Sequence, residues 1–450
     1  MSASSGRVDA ELAEPLTSIE ICAGAGGQAV GLHNAGFKHL ALVELDRHAV
    51  TTLRANVHRW PGWGKSRADA LEPMDVKDFL DSDVHKALGL EEGQLDLLAG
   101  GVPCPPFSLA GKQLGADDER DLFPEMLKMI RVLKPKAVMI ENVRGILEPP
   151  GVFIDYRRWI VHELDDMGYV VPEVSEDWSA EEQDAAMRPV WRRVDACDFG
   201  VPQLRPRAIL VAIHRDAING GKFVWPQGKG AAVSVAEKLE PTMKVRCKEF
   251  WNKNKYGEPA KSGERTGKNV FYDWKKAAEG AKGNSTRGVA PTLVGGSKKH
   301  GGADLGPTRA KRAWGLMGVD ATGVANDPGP TCVPERDLFR PDGPMLTVAQ
   351  AAIIQGFPTE WEFPGKKTAR YRQVGNAFPP PVAEAIGRAI AAVLRPDQRE
   401  KLLEEYVLDA DGSDSTEKVS YQTAAFGVSE LVKPRAASED RDRDLVGAEV

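Results

Sequence analysis

The sequence predicts an α/β protein, a doubly wound and mostly parallel sheet with a smaller irregular domain set in late along the chain. Three observations carry this. Short apolar runs alternate with stretches of helical spacing from about residue 17 to residue 214, a glycine cluster follows the first apolar run, and the alternation lapses from 214 to 340 before it resumes.

Residues 17–23, TSIEICA, form the first strand and run into GAGGQAVGLHNAG, whose glycines suit a tight turn before a helix. HLALVELD (39–46) is the second strand and RHAVTTLRANV (47–57) the helix after it. A third strand is expected to end at SRADALE (66–72), beside Asp69. LDLLAGG (95–101), AVMIENV (137–143) and RAILVAIH (207–214) continue the series as buried strands, with FPEMLKMIRVL (123–133) and YRRWIVHELDDMG (156–168) as helices. Ligands of such sheets sit at the carboxyl ends of the strands, where Gly24, Glu44, Cys104 and Glu141 stand. Residues 214–340 are rich in Gly, Lys, Pro and Trp without a period, and they read as loops and short strands. Order returns in PMLTVAQAAIIQGFP (344–358), and PPPVAEAIGRAIAAVL (379–394) opens on prolines that suit a first helical turn. The implied divisions are a flexible N-terminus (1–16), a sheet domain (17–213), a smaller irregular domain (214–340), a return segment (341–400) and a disordered acidic tail (401–450).

At 450 residues the chain is long enough for two folded units or one unit with a large insertion. Cys22, Cys104, Cys197, Cys247 and Cys332 form no closely spaced pair and are odd in number, which argues for free thiols rather than a zinc site or disulfides. No apolar run approaches the roughly 18 residues of a membrane span, and the N-terminus lacks the apolar core of a signal peptide; a cytoplasmic protein is expected. Between 214 and 320 about 21 Lys and Arg face about 10 Asp and Glu, whereas 401–450 carries 6 basic and 12 acidic residues. A basic middle suits a polyanionic partner.

Taken alone, CAGAGG is a weak signal shared by many nucleotide-binding sheets. Glu44, 20 residues beyond Gly24, suits a ribose hydroxyl. Asp69 could accept from an adenine amino group or could be an ordinary turn aspartate. Together they suggest an adenosine-bearing cofactor without naming it. Cys104 is more telling, because an isolated internal cysteine is usually a small buried hydrophobe. Here Pro103, Pro105 and Pro106 fix the loop on either side of it, as a positioned nucleophile requires.

GGVPCPPFS (100–108) resembles the nucleophile motif of the DNA cytosine-5 methyltransferases, and ENV (141–143) resembles their catalytic glutamate motif. EICAGAGG (20–27), DDERDLF (117–123), QLRPR (203–207) and YRQVGNAFPPPVA (371–383) are similar to further motifs of that family, in order, over roughly 17–395. The resemblance implies S-adenosylmethionine as cofactor, with contacts from Cys22, Gly24, Gly26, Gly27, Glu44 and Leu45. It further implies Asp69, Ala70, Gly101 and Pro103, and it brings in Asn376 and Ala377 from the far end of the chain. Cys22 and Leu45 stand where the family commonly has aromatic residues, and Pro105 replaces a common glutamine.

The implied chemistry is addition of Cys104 to carbon 6 of a cytosine while Glu141 serves N3, so that carbon 5 can take a methyl group. Arg207 would contact the cytosine carbonyl. Arg205, two residues earlier on one strand and hence on the same face, would orient Glu141 or the loop. The base must be flipped out of duplex DNA, and the basic middle would supply phosphate contacts. APTLVGGSKKHGG (290–302) resembles family recognition segments, which makes Thr292, Leu293, Lys298, Lys299 and His300 candidate DNA contacts. No metal is expected, and the protein is expected to act as a monomer, in a restriction-modification system or alone. An RNA methyltransferase and a decayed DNA-binding relative are the competing readings. A nicotinamide dehydrogenase explains the glycines but not the later motifs.

Overall fold

Gly24 and its neighbours follow a strand that lies next to one edge of a seven-stranded sheet. The structure, a computed structural model, describes residues 14–103, 121–218, 221–228, 232–283, 287–295 and 303–408. Strands β1 (Leu16–Ile21), β2 (Phe37–Val43), β3 (Leu97–Gly100) and β4 (Ala137–Val143) pair in parallel in the order β2-β1-β3-β4. The sheet continues with β5 (Tyr169–Val170) and β6 (Trp191–Asp195), both lying along the outer edge of β7 (Pro206–His214). Because β7 runs antiparallel to β4, β5 and β6, it is the one reversed strand of this sheet. β3 and β4 are apolar almost throughout, as strands covered on both faces must be.

Helices α1 (Gly27–Asn34), α2 (Arg47–Val57), α3 (Gly64–Asp69), α4 (Asp83–Leu88), α5 (Phe123–Leu133), α6 (Ile154–Asp166) and α7 (Ala180–Met187) fill the connections. Asp46 caps α2, accepting from His48 N at 2.7 Å and Ala49 N at 3.1 Å, and so fixes where the helix leaves β2. Asp69 does not end a strand as expected. It closes α3, and the third strand in sequence is β3.

The region expected as loops and short strands contains four α-helices among its described residues, two of them long, with loops between them. α8 (Val235–Lys248) and α9 (Gly267–Gly280) each begin with a capping box, Ser234 with Glu237 and Thr266 with Asn269. Their apolar faces, Leu239, Met243 and Cys247 on one and Val270, Phe271 and Trp274 on the other, share a core. Basic and glycine-rich loops between these helices masked that periodicity. α10 (Thr308–Leu316), α11 (Pro334–Asp337), α12 (Val348–Gln355) and α13 (Lys367–Asn376) follow.

The last long helix, α14 (Pro380–Leu394), packs back on α1, as a site completed from the far end of the chain requires; Ile386 and Ile390 join Leu32 and Phe37 in one core. The segment 367–394 is apolar enough to cross a membrane by length and composition, yet 78% of its most apolar window is buried within the protein. Regular structure also continues into the first residues of the segment expected as a disordered tail. α15 (Arg399–Leu403) leads to β9 (Tyr406–Leu408), which pairs with β8 (Pro226–Gly228) in a second, two-stranded sheet.

Candidate active site

A cavity of about 270 Å³ opens at the carboxyl ends of β1 to β4. From the first motif it takes Cys22, Gly24 and Gly27; from β2, Glu44; from the end of β3, Gly101; from β4, Glu141; and from α13 and beyond, Asn376 and Ala377. Residues more than 350 positions apart in the sequence therefore line one space, because α14 against α1 draws the end of α13 onto the first turn.

The turn after β1 depends on left-handed backbone. Gly24 has φ 54° and Gly26, the residue before α1, has φ 87°, conformations that glycine adopts without a steric penalty. Cys22 takes φ 51° without that freedom. Gly24 N donates to Glu44 Oε2 at 2.6 Å and Asp46 N donates to Glu44 Oε1 at 2.7 Å, so the carboxylate ties the glycine turn to the start of α2. Burial raises the Glu44 pKa, and the backbone N–H groups of Asp46, Gly24 and Leu45 oppose that rise. Burial, with the charges of Glu44, Asp75 and Glu20, pushes the Cys22 thiol up to about 12, so it stays neutral.

Two buried groups in the wall were not singled out from the sequence. Glu20 is 1% exposed and Gln28 3%, and Glu20 Oε2 and Gln28 Nε2 have no hydrogen-bond partner. Burial first, then the charge of Glu44, holds the Glu20 carboxyl well above the usual range. The unpartnered Gln28 Nε2 seeks an acceptor and the unpartnered Glu20 Oε2 a polar partner, while the carboxylates of Glu44 and Asp46 beside them favour donors and positive charge, so the wall suits a ligand that carries both kinds of group. A charged residue within the apolar run TSIEI was the available signal for Glu20.

Five expected cofactor contacts, Gly26, Leu45, Asp69, Ala70 and Pro103, do not line the cavity. Asp69 is a surface residue paired with Lys65 at 3.4 Å, with Ala70 beside it at the end of α3. Leu45 is 62% exposed, and Pro103 is exposed beyond the end of β3. Gly26 is also outside the wall, packed under Trp361. The aspartate whose charge reaches Cys22 is Asp75. Met74 N donates to Glu44 O at 2.8 Å and brings it to the end of β2.

At the other end of the cavity Glu141 Oε1 stands 2.6 Å from Arg207 Nε, with side-chain exposures of 16% and 12%. Arg207 Nη1 also donates to Pro206 O at 2.8 Å. Asn142 Nδ2 donates to Val102 O at 2.9 Å, and Leu122 N to Pro103 O at 3.3 Å, which fastens the stem of the proline loop to β4 and to the start of α5. Cys104 itself lies outside the described residues, as do Lys298, Lys299 and His300.

Arg205 does not share a face with Arg207. It precedes β7 with φ 24°, which breaks the strand alternation, and its guanidinium is buried and donates to Leu293 O at 2.8 Å and Gly375 O at 2.9 Å. Burial, followed by the charge of Arg207, lowers its pKa well below the usual value, against Glu141 and Tyr371. Leu293 is fully buried, so its side chain is part of the core and not available to DNA; Thr292 beside it is half-buried.

The strand order, the single reversed strand and the acid-lined cavity at the strand ends define a Rossmann-like methyltransferase fold. The C-5 cytosine-specific DNA methylase family matches residues 16–392, and the chain belongs to it. The chain is 46% identical over 383 residues to the Type II methyltransferase M.NaeI of Lentzea aerocolonigenes, covering 85% of this chain and 76% of that one. It is 39% identical over 384 residues to the Type II methyltransferase M.NgoMIV of Neisseria gonorrhoeae, covering 84% and 98%. With the Type II methyltransferase M.Eco47II of Escherichia coli the identity is 30% over 382 residues, covering 84% and 79%. This protein is a DNA (cytosine-5-)-methyltransferase.

Proposed function

We propose that the chain transfers a methyl group from S-adenosylmethionine to carbon 5 of a cytosine flipped out of a specific duplex sequence, as the modification enzyme of a type II system. The observation that carries this reading is the ion pair of Glu141 and Arg207 at the rim of an acid-lined cavity, next to the stem of the loop that leads to Cys104. Glu20, Glu44 and Asn376 would hold the cofactor, with Gln28 at the same wall. When bound, the cofactor supplies the methyl group as an electrophile.

The rest is done by the chain. The Cys104 thiolate adds to carbon 6 of the base, which breaks the ring's aromaticity and makes carbon 5 nucleophilic. Glu141 serves N3 with a proton or hydrogen bond as negative charge develops on the ring. Arg207, on the same face as Glu141, holds that carboxyl and would meet the base carbonyl. After methyl transfer the carbon 5 proton leaves to a base, and the electron pair expels the cysteine.

Residues 17–213 would form the catalytic domain, 214–340 the recognition domain, and 341–400 the segment that closes the cofactor site. Because 214–340 is basic, phosphate contacts there would supply affinity. The protein would act in the cytoplasm as a monomer. Duplex DNA carrying 5-fluorocytosine at the target tests the mechanism, since fluorine cannot leave as a proton does. A denaturation-resistant adduct with the wild type and none with Cys104→Ser is expected; no adduct on DNA that is bound and otherwise methylated would refute it.

A further inference from the structure

Residues 290–295 are held between two parts of the site. Leu204 N donates to Ala290 O and Ala290 N to Pro202 O, each at 2.9 Å. Gln203 Oε1 accepts from Leu293 N at 2.6 Å, while Gln203 Nε2 donates to Gln355 Oε1 at 2.7 Å. Gln355 in turn donates to Ala377 O. Arg205 spans the gap, one nitrogen on Leu293 O and another on Gly375 O. Gln203, Arg205 and Gln355 are all buried.

The two backbones then touch without intervening side chains. A Cβ added to Gly375 would stand 2.6 Å from Gly295 Cα, and one added to Gly295 would stand 2.8 Å from Asn376 Cγ and 2.9 Å from Arg372 O. Asn376 and Arg372 both line the cavity. No methyl group fits between residues 293–295 and the end of α13.

We propose that residues 293–295 form a brace that sets Asn376 in the cofactor cavity, so that Gly295 and Arg205 are positioning residues coupling the recognition region to the cofactor site. The proposal rests on the reading of the cavity as the cofactor site. Two features of Arg205 favour a retained device over incidental packing. Its positive φ is uncommon outside glycine and persists only where the surroundings fix it. Its guanidinium is withdrawn from water yet bonds to backbone carbonyls on two separate segments, the arrangement that holds them at one separation. Coupling of this kind is reciprocal: whatever shifts the brace changes cofactor affinity, and bound cofactor biases the brace.

The test is calorimetric titration of the full chain with S-adenosylhomocysteine, with initial-rate kinetics alongside. Asn376→Ala and Gly295→Ala are each expected to weaken binding about tenfold or more, corresponding to about 1.4 kcal/mol. The double variant is expected to bind no more weakly than Asn376→Ala, because Gly295 acts through Asn376. Cofactor KM should rise in Gly295→Ala with kcat near wild type at saturation, a split that general loss of structure would not give. Wild-type affinity in Gly295→Ala with weakened binding in Asn376→Ala overturns the brace and leaves the cofactor site standing. Wild-type affinity in both overturns the brace together with the reading of the cavity. If Gly295→Ala does not melt cooperatively, Arg205→Lys replaces it, since one ammonium cannot match the guanidinium's span of both carbonyls. Weakened binding there supports the brace, and unchanged affinity overturns it.

Discussion

Replacing Glu141 by Gln separates two roles that one ion pair combines. Glu141 and Arg207 are 16% and 12% exposed, so the pair is largely but not fully withdrawn from water. Removing one member of a buried pair costs about 3–5 kcal/mol, because the remaining charge stays buried and uncompensated. The residual exposure lets water screen part of that charge, and a loss of roughly 2 kcal/mol is the expected outcome for Glu141→Gln. Arg207→Met should cost a similar amount. Removing both leaves no orphaned charge, so the double variant should recover to within about 1 kcal/mol of wild type. Activity should not recover with it. Loss of a positioned acid should lower the rate by about 10²- to 10⁴-fold in Glu141→Gln and at least as much in the double variant. Urea unfolding of the four proteins, with transfer of labelled methyl groups to DNA, measures both quantities. If the double variant is as unstable as the two singles summed, the pair does not couple as its geometry implies. Near-wild-type transfer by Glu141→Gln would refute its catalytic role.

Other outcomes follow from particular residues. Replacing Lys298, Lys299 and His300 together by Ala should weaken DNA binding, by roughly 1–3 kcal/mol for each good base contact and less for a phosphate contact, with cofactor affinity unchanged. Identical binding, salt slope and methylated-site profile in the variant would place recognition elsewhere. Deleting 409–450 should leave methylation nearly unchanged, whereas deleting 405–450 also removes β9 from its pairing with β8 and should lower the melting temperature. Equal stability of the two truncations would deny β9 a structural role. Glu20 has its folded pKa raised, so the folded state binds that proton more tightly than the unfolded chain does. Its contribution to stability is full below the ordinary value of 4.5 and is lost as pH rises towards the folded value. Glu20→Gln should therefore gain stability relative to wild type as pH rises above that value, and parallel pH profiles would show that Glu20 is not held neutral.

The sheet was legible because buried parallel strands are continuous apolar runs, and LDLLAGG or AVMIENV can be little else at their length. Gly24, Glu44 and Glu141 were legible from their places at the ends of predicted strands, whereas Asn376 was reached only through the resemblance of its motif. Asp69 and Arg205 were misplaced for one reason. Each was positioned by counting along an assumed strand, and the chain there is a helix in one case and a left-handed turn in the other. Helices α8 and α9 were missed although both capping boxes are in the sequence, because lysine- and glycine-rich loops on either side diluted the spacing of Leu239, Met243, Val270 and Trp274. Leu293 shows a different limit: a motif can single out a segment, but only packing shows that the side chain turns inward.

The direction of β7 accounts for the position of Arg207. In a wholly parallel sheet the start of each strand lies at the end opposite the cavity, so a residue at the second position of β7 would be a strand length away from Glu141. Because β7 is antiparallel to β4, its first residues lie beside the last residues of β4, and Arg207 pairs with Val143 while Glu141 pairs with Ile209. Residues directly opposite in an antiparallel pair share a face, and so do residues two apart on one strand. Arg207 is therefore the diagonal neighbour of Glu141 on the same face, at a separation of about 7–8 Å that only a long side chain bridges. Arginine has that reach, and its Nε ends 2.6 Å from the carboxylate. A one-residue slip of β7 would turn Arg207 to the opposite face, so the register that buries Ile209, Val211 and Ile213 against α14 is also the register that assembles the ion pair.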